Sequence, residues 1–560
     1  MKKTILSIFA LCALSISSNA QSFEWVKQIE GNGVDQIFSV SSNGSDIYST
    51  GTYDGTTDFN PGIVTDIQPA VGGLDVFIQK LDENGEFVWA KTIGGMDNDM
   101  GRVINDYGTH VIVSGTFSGT VDFDPGTGVE SKTSNGGTDV FILALDDNGD
   151  FLWVNTFGGT ANESIGGQEL NSSNKIIATG GFYNNMTINA TGGPVTVSAT
   201  STGGTDVFFM ELDLITGSVE WVKSFGGTGI DSGAKLAIRS NDNILITGRY
   251  QNIMDIDPSA NDFSLSSDGG FSVFLTEYDN LGNFINGFSF DSSSDMEAYD
   301  VALDDNENIY LTGYFKATVD FDLKAGVTDV TTNGGQDCYV VKLTSTKDLV
   351  WAKNFGGAGL DQSFGLELAS NGDVYTTGRY SDVVDFDPGA GVVNGTASGF
   401  DIFIHKFNEL GNFQMVHTFS DVGSDMGRGL EIDANGNMYV GGMFAGTIDF
   451  DPSTGTSNLT TDGTSDVFVI KYSNLVLGLN SLAQKLVFNV YPNPAQNELF
   501  MEIDDLTTTK IEIFDYSGQL VKSIVNNTIN QIDISDLKEG VYILSVHAQK
   551  GISNARFIKQ

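Results

Sequence analysis

One short sequence recurs along this chain at a nearly constant spacing, and this repeat limits the possible folds more than any other feature. A strand signal centred on tryptophan, such as FVWAKTI (Phe87–Ile93), is found seven times with steps of 64, 64, 68, 65, 65 and 64 residues. Its central positions are Trp25, Trp89, Trp153, Trp221, Asn286, Trp351 and Met415. A second marker, Asp-Val-Phe or a close variant, also occurs seven times. A repeat of this kind indicates an array of similar units.

Each unit contains four strand signals separated by turns. The sixth unit shows them as SFGLELA, VYTTGRY, FDIFIHKF and FQMVHTF. Alternating apolar residues joined by Asn-Gly or Asp-Asn-Gly turns are typical of β-hairpins. No convincing amphipathic helix occurs in residues 21–472. Four antiparallel strands repeated seven times predict an all-β fold, a seven-bladed β-propeller over residues 21–472.

The last unit supplies only three strands, GRGLEID, NMYVGGMF and SDVFVIKY, before the repeats stop. At the other end, FEWVKQI (Phe23–Ile29) is a fourth-strand signal without a unit of its own in front of it. We therefore expect the N-terminal strand to complete the seventh blade. Pairing the two ends in this way closes the ring and leaves no unpaired blade edge.

The first 20 residues predict export. They combine a Lys-Lys start, an apolar stretch and a small-residue end, the pattern of a Sec signal peptide (1–20). No later run approaches the roughly 20 apolar residues that a spanning helix needs, so no transmembrane segment is expected. Cys12 falls in the leader, which leaves Cys338 as a single, buried strand residue without a disulfide partner.

The charge of the chain disfavours some classes of partner. The net charge is −44, and residues 21–485 hold 63 Asp and Glu against 20 Lys and Arg. Such a field disfavours binding to nucleic acid or to an anionic membrane surface.

Carboxylates recur at one position directly before the innermost strand of each blade. They are Asp35, Asp99, Glu163, Asp231, Asp295, Asp361 and Asp425. Propeller geometry would place them around one mouth of the central channel, where a ring of like charges raises pKa values or attracts a cation. In the alternative interpretation, each carboxylate accepts backbone N–H groups of its glycine-rich turn and has a structural role. The second interpretation is the favoured one.

Paired acidic positions recur in a second place, before Pro-Gly or an equivalent turn. The pairs are Asp58 with Asn60, Asp122 with Asp124, Asp255 with Asp257, Asp320 with Asp322, Asp385 with Asp387, and Asp449 with Asp451. Residues i and i+2 of a strand share a face, and paired carboxylates suit Ca²⁺. Calcium is therefore the one cofactor that the sequence suggests. A turn in which the side chain accepts backbone N–H groups is the alternative.

Motifs for catalysis are missing. The four histidines have no metal-ligand spacing, and no HExxH, GxSxG or phosphate-binding loop occurs. The arginines of the repeat region form no motif; they are Arg102, Arg239, Arg249, Arg379 and Arg428. The tryptophans are expected to pack between blades and not to form a sugar-binding platform.

The units resemble the bacterial seven-bladed β-propeller repeat family. The segments GGLDVFIQKLDENGEFVWAKTIGG (72–95) and DDNENIYLTGY (304–314) carry its pattern, and the resemblance covers about residues 23–472. It implies a fold and no particular reaction.

Residues 486–560 differ from the repeats and resemble the C-terminal sorting domain of the type IX secretion system. The matching residues are Tyr491, Pro492, Asn493, Pro494, Gly540, Arg556 and Lys559. The segment predicts a small β-sandwich with strands at 487–491, 498–503, 510–515, 519–524 and 541–547, after a linker at 473–485. The resemblance implies the type IX machinery as partner, a Bacteroidota-like cell and a secreted or surface destination. The alternative is a plain carbohydrate- or protein-binding module.

These features together predict an exported binding or adhesion scaffold whose ligand is an unknown surface glycan or protein. The competing class is a polysaccharide-active enzyme, a lyase or a glycosidase. A glycosidase needs one acid–base pair at a defined separation, whereas here the acidic positions recur in nearly every blade. This recurrence favours the scaffold.

Overall fold

The computed structural model describes residues 19–198, 204–324, 326–476, 488–503, 508–515, 520–524, 531–548 and 551–560. All regular secondary-structure elements in these residues are β-strands. The chain divides into two compact units, of which the larger is Gln21–Asn474 and the smaller includes Leu475–Gln560. The predicted signal peptide and most of the predicted linker lie outside the described residues, so both stay predictions.

The larger unit contains seven four-stranded antiparallel blades. From the innermost strand outward they are Gln36–Ser42, Asp46–Tyr53, Asp75–Asp82 and Phe87–Ile93 in blade 1; Met100–Asp106, Val111–Phe117, Asp139–Leu145 and Phe151–Phe157 in blade 2; Ser164–Leu170, Lys175–Tyr183, Thr205–Asp213 and Val219–Gly227 in blade 3; Ser232–Ile238, Ile244–Tyr250, Ser272–Tyr278 and Phe284–Phe290 in blade 4; Met296–Leu303, Ile309–Phe315, Asp337–Leu343 and Leu349–Gly357 in blade 5; Gln362–Leu368, Val374–Asp385, Asn394–Phe407 and Phe413–Phe419 in blade 6; and Met426–Ile432, Met438–Phe444, Asp466–Val476 and Asn19–Gly31 in blade 7. The innermost strands contact one another in a closed ring. The predicted seven-bladed propeller is confirmed.

The seventh blade is completed by the N-terminal strand Asn19–Gly31, which pairs with Asp466–Val476. The side-chain amide of Gln28 donates to the Asp466 carboxylate at 2.6 Å. Ile29 is only 2% exposed and packs in the core between blades 7 and 1. The closure predicted from the sequence is therefore confirmed.

A two-stranded extension follows the second strand of each blade. In blade 6 the two long strands continue into it. In the other blades it is formed by Thr56–Asp58 with Ile67–Pro69, Thr120–Asp122 with Ser131–Thr133, Asn185–Ala190 with Gly193–Ser198, Ile253–Asp255 with Ser264–Ser266, Thr318–Asp320 with Asp329–Thr331, and Thr447–Asp449 with Asn458–Thr460. Blade 3, which lacks the acidic pair, has the longest separate hairpin.

The five tryptophans pack against the outer turn of the blade that follows their own. Trp89 donates its indole N–H to the Asp147 carbonyl at 3.1 Å, and Trp25, Trp153 and Trp351 make the same type of bond. The indole of Trp89 lies against Gly149, where a Cβ would come within 3.2 Å of the ring and where φ is +76°. Glycine is needed there both for space and for its conformation.

The blade with asparagine in place of tryptophan uses a different connection. Opposite Asn286, the turn of blade 5 carries Lys347 at the positive-φ position in place of glycine. The ammonium of Lys347 and the guanidinium of Arg239 both pair with the buried Glu277 carboxylate. An ion-pair network thus replaces the aromatic contact between blades 4 and 5.

The smaller unit is a β-sandwich of two antiparallel sheets. One contains Phe488–Tyr491, Glu498–Ile503 and Gln531–Asp533; the other contains Leu520–Ile524, Thr508–Asp515, Gly540–Ala548 and Gly551–Lys559. Their facing residues, among them Leu499, Ile513 and Leu544, are fully buried. The predicted sandwich is confirmed, with two strands, Gln531–Asp533 and Gly551–Lys559, that the sequence pattern did not indicate.

Candidate functional site: the central channel

The recurrent carboxylates before the innermost strands are buried between blades. The Asp99 carboxylate accepts the backbone N–H of Gly95 at 2.7 Å and that of Ser118 at 2.9 Å. Gly95 follows the outer strand of blade 1, and Ser118 follows the second strand of blade 2. The carboxylate therefore ties the connection between two blades to the new blade. Asp231, Asp361 and Asp425 accept backbone N–H groups in the corresponding places, and Glu163 accepts that of Gly159.

Burial is the largest influence on the pKa values of these groups. It raises the pKa of Asp35 to about 8 and the pKa of Asp99 to about 7, although the amide bonds of Asp99 act in the opposite direction. Burial also raises to about 7 the pKa values of Glu163, Asp231, Asp361 and Asp425. The six side chains are at most 3% exposed, so they are part of the framework between blades.

Blade 5 departs from this pattern and corrects one predicted position. In the other blades the backbone N–H of the carboxylate residue bonds to the preceding third-strand loop, as Asp99 does to Leu74. In blade 5 this bond is made by Met296, which donates to Phe271. Asp295 lies one residue earlier, has a side chain that is 40% exposed, and pairs with Lys316 at 3.3 Å. The ring therefore has six carboxylates and one methionine.

The paired acidic loops use their carboxylates to hold the backbone. Asp122 Oδ1 accepts the N–H of Asp124 at 3.2 Å and that of Glu130 at 2.7 Å, while Asp124 Oδ1 accepts the N–H of Gly126. The first aspartates of the other five loops, Asp58, Asp255, Asp320, Asp385 and Asp449, accept two such bonds each. In the part of the chain that the structure describes, no group of three or more acidic, His or Cys side chains is placed to hold a metal ion. Calcium binding stays a prediction.

One repeat position that varies between blades contributes a residue from every blade to the channel lining. Each innermost strand has a β-bulge at the third residue after the recurrent ring position. The bulged residues are Phe38, Arg102, Gly166, Ala234, Tyr299, Phe364 and Arg428, and all of them line a cavity of about 500 Å³. Bulges re-aim side chains and are common beside functional sites.

Five of these residues form a continuous arc around the mouth. Its order by blade is Arg102 in blade 2, Phe38 in blade 1, Arg428 in blade 7, Phe364 in blade 6 and Tyr299 in blade 5, and we name it the mouth arc. The guanidinium carbon of Arg102 lies 4.4 Å from the Phe38 ring centroid, and that of Arg428 lies 4.2 Å from the Phe364 centroid and 5.5 Å from the Phe38 centroid. The rings of Tyr299 and Phe364 are 5.1 Å apart. Alternating cations and rings attract one another in this arrangement.

Two further arginines lie beside the mouth arc. Arg379 lies 4.1 Å from the Phe400 ring centroid and donates to the side-chain oxygen of Gln362. Arg249 forms a salt bridge with Glu297, which also accepts a hydrogen bond from Tyr314. Four of the five arginines of the propeller thus gather at one end of the channel.

The type of charged residue that lines the channel changes along its axis. Three residues beyond the bulge, about 10 Å along a strand, its wall carries Glu169, Glu367 and Glu431. Burial raises the pKa of Glu431 to about 8 and that of Glu169 to about 7, and it raises the pKa of Glu367 well above its usual value. Asp300 lies between the two layers and is 3.8 Å from the ammonium of Lys235. The interior thus carries carboxyl groups with raised pKa values and the Lys235 ammonium, while the mouth arc carries guanidinium groups and aromatic rings.

The sequence interpretation missed the mouth arc, although a signal for it was present. Met100-Gly-Arg102 and Met426-Gly-Arg428 are the same tripeptide at the same repeat position. Aligning the seven units on the ring position would have placed Phe38 and Phe364 in the same column. The residue types at this alignment position look irregular in sequence, and only the ring geometry shows that their side chains are in contact.

The predicted sorting-motif residues come together in the smaller unit. The Asn493 side chain donates to the Arg556 carbonyl at 3.0 Å and accepts the N–H of Ile558 at 2.9 Å. Gly540 pairs with Lys559 across the two last strands. Tyr491 remains 49% exposed, and Pro492 and Pro494 both follow cis peptide bonds.

Residues 489–560 match the family described as the secretion system C-terminal sorting domain. The tail is a type IX secretion sorting domain. Curated relatives are an uncharacterized WD repeat-containing protein of Acanthamoeba polyphaga mimivirus, 22% identical over 80% of this chain, and the regulatory protein FlaEY of Caulobacter vibrioides, 23% identical over 61%. This chain spans little more than a third of each of them, 38% and 36%.

Two solved structures are similar to this chain at low TM-scores. One is the Dos1 propeller, with a TM-score of 0.36 and 11% identity, covering 81% of this chain and 96% of that one. The other is a europium-containing methanol dehydrogenase, with a TM-score of 0.34 and 10% identity, covering 81% and 94%. Within the described residues no helix is long and apolar enough to cross a membrane.

Proposed function

We propose that this protein is an exported binding or adhesion protein whose propeller presents the mouth of its channel to an extracellular ligand. A Sec signal peptide in residues 1–20 would carry the chain across the inner membrane, and the type IX sorting domain would carry it out of the cell.

The distribution of irregular residues around the ring carries this proposal. Residues that repeat from blade to blade, such as Asp99, Asp122 and Trp89, are engaged with the backbone or with the next blade. Residues that differ between blades collect in the channel, where Phe38, Arg102 and five others occupy one layer. In a symmetric fold, a specific ligand requires a place where the symmetry is broken. Here that place is the channel.

A second candidate, a glycosidase, is favoured by one observation. Glu367 and Glu431 face the channel, and the pKa values of both are raised by burial. A carboxyl group that stays protonated near neutral pH is what a general acid for glycoside cleavage needs. A polysaccharide lyase lacks comparable support, because burial raises the pKa of Tyr299 and a tyrosine of this kind is a poor base.

One experiment tests both candidates. The full exported chain is applied to a glycan array and to a panel of extracellular proteins, and the glycans that bind are then incubated with it and analysed for released reducing ends. Binding without release supports the binding protein. Release that disappears in Glu367→Gln or Glu431→Gln, with binding retained, establishes the glycosidase. If no glycan and no protein binds, the proposal is wrong.

A further inference from the structure

The arginines of the mouth arc lack the partners that arginines normally have in so acidic a protein. The chain holds 72 Asp and Glu against 28 Lys and Arg. Among the described residues, the arginine salt bridges involve Arg239 and Arg249, and none involves Arg102, Arg379 or Arg428. The nearest polar contacts of Arg102 and Arg428 are the sulfur atoms of Met100 and Met426.

Keeping these cations together costs free energy. Burial, together with the charges of Arg102 and Arg379, lowers the pKa of Arg428 to about 10. Unpaired buried charge is expensive unless something compensates for it. The carboxylate of Glu297, which also lines the cavity, is already held by Arg249 and Tyr314.

The geometry of the mouth arc fits an oxyanion that accepts two parallel hydrogen bonds. Arg102 and Arg428 lie over the faces of Phe38 and Phe364, so the rings do not use the N–H fork at the guanidinium edge. This fork matches a carboxylate or a sulfate with two parallel hydrogen bonds.

Resting on the proposed function, we infer that the mouth arc binds the terminal oxyanion of an acidic saccharide, a uronate carboxylate or a sulfate ester. The cavity volume of about 500 Å³ falls within the range of small-ligand pockets and suits one or two sugar rings. Hydroxyl and amide groups of Ser39, Asn105 and Ser232 also line the cavity and suit a hydroxylated ligand.

The charge of the whole protein restricts the ligand further. Glu169, Glu367 and Glu431 lie beyond the mouth arc, and the net charge of −44 repels a polyanion as a whole. The ligand that fits is therefore a glycan end with a single anionic group on an otherwise neutral skeleton.

The test uses the full exported chain and sugars that differ in one group. Galacturonic acid, galactose 6-sulfate, galactose and inorganic phosphate are titrated separately by calorimetry and ligand-observed NMR. We expect one of the two acidic sugars to bind and galactose to bind at least about tenfold more weakly, as the loss of a charge-assisted hydrogen bond implies. Which of the two binds distinguishes a carboxylate from a sulfate.

The variants Arg102→Gln and Arg428→Gln should each weaken the binding of the acidic sugar by about tenfold or more. Lys132→Gln is the matched control, because it removes the same charge from a surface pair with Glu130, outside the channel. Arg102→Lys keeps the charge without the planar fork, and its affinity for the acidic sugar should lie between those of the parent and of Arg102→Gln. Melting curves of all variants show whether the fold is intact.

Several results would overturn the inference. Binding of the acidic sugar that is unchanged in Arg102→Gln and Arg428→Gln would do so, and so would binding of phosphate in place of the sugars. A neutral glycan that binds the parent and both variants equally would also refute the inference, yet it would leave the proposed binding function standing. That function fails only when nothing on the array or the protein panel binds.

Discussion

Removing the closing strand offers the most direct test of how this ring is held together. The perturbation is deletion of residues 21–30. Ile29 is 2% exposed, and truncating such a side chain to alanine costs about 2–5 kcal/mol. The deletion also removes the packing of Phe23, Trp25 and Val26. Its cost should reach roughly 5–10 kcal/mol, comparable to the 5–15 kcal/mol that stabilises a whole domain.

The thermal shift can be estimated from the size of the unit. A cooperative unit of roughly 450 residues loses about 1 °C of melting temperature per kcal/mol, from the usual unfolding entropy per residue. We expect Ile29→Ala to melt about 2–5 °C lower, and the deletion variant at least 5 °C lower, roughly, or to aggregate through its open edge. The assay is calorimetry combined with light scattering.

A synthetic peptide of residues 21–31 provides the decisive control. When added at a hundredfold excess over its Kd, the peptide should raise the free energy of unfolding of the deletion variant by about 2.7 kcal/mol. Ile93→Ala is the matched variant, since Ile93 has the same repeat position and the same 2% exposure in blade 1, whose outer strand is continuous with its blade. The peptide should not affect that variant. An unchanged melting curve for the deletion would refute the closure argument.

Three further predictions follow from the buried carboxylates, the acidic loops and the tail. Burial raises the pKa of Asp99 and its equivalents, so the folded state keeps protons that the unfolded chain releases above about pH 4; the free energy of unfolding should therefore fall as the pH rises from about 4 to 8. Melting curves at constant ionic strength measure this slope, which should be shallower in Asp99→Asn; a stability that rises with pH would contradict the prediction. If the loop at Asp122 and Asp124 binds calcium, replacing both with Asn should reduce the calcium-specific rise in melting temperature, with magnesium and sodium at matched ionic strength as controls; identical curves for parent and variant would end the calcium hypothesis. Deleting residues 487–560 should leave a folded propeller in the periplasm, and equal amounts of truncated and intact protein outside the cell would disprove the export role.

The sequence predicted the ring well because its markers are local and repeated. Trp89, Asp99 and the Asp-Val-Phe strands each report their own blade, and their spacing gives the number of blades. One ring position was assigned wrongly, to Asp295. In blade 5 the ring position is one residue later and is occupied by Met296, and the acidic residue beside it hid this difference. Backbone hydrogen bonds reveal such a shift, whereas residue types do not.

The candidate site was harder to predict for the opposite reason. Arg102 and Arg428 are 326 positions apart in the chain, and each has an unremarkable strand context. They become neighbours only because blades 7, 1 and 2 are consecutive around a closed ring. A pattern that depends on closure cannot be found by comparing short windows of sequence.

The position of the closing strand also has a mechanical consequence. Asp466–Val476 is the strand from which the chain continues toward the sorting domain, and it lies between Met438–Phe444 on one side and Asn19–Gly31 on the other. A pull applied through the tail is therefore loaded along a strand that is hydrogen-bonded on both edges, so two ladders must shear together before the blade opens. The closing strand thus supplies the second of these ladders, and a propeller tethered through this tail would resist drag at the point where its chain leaves the ring.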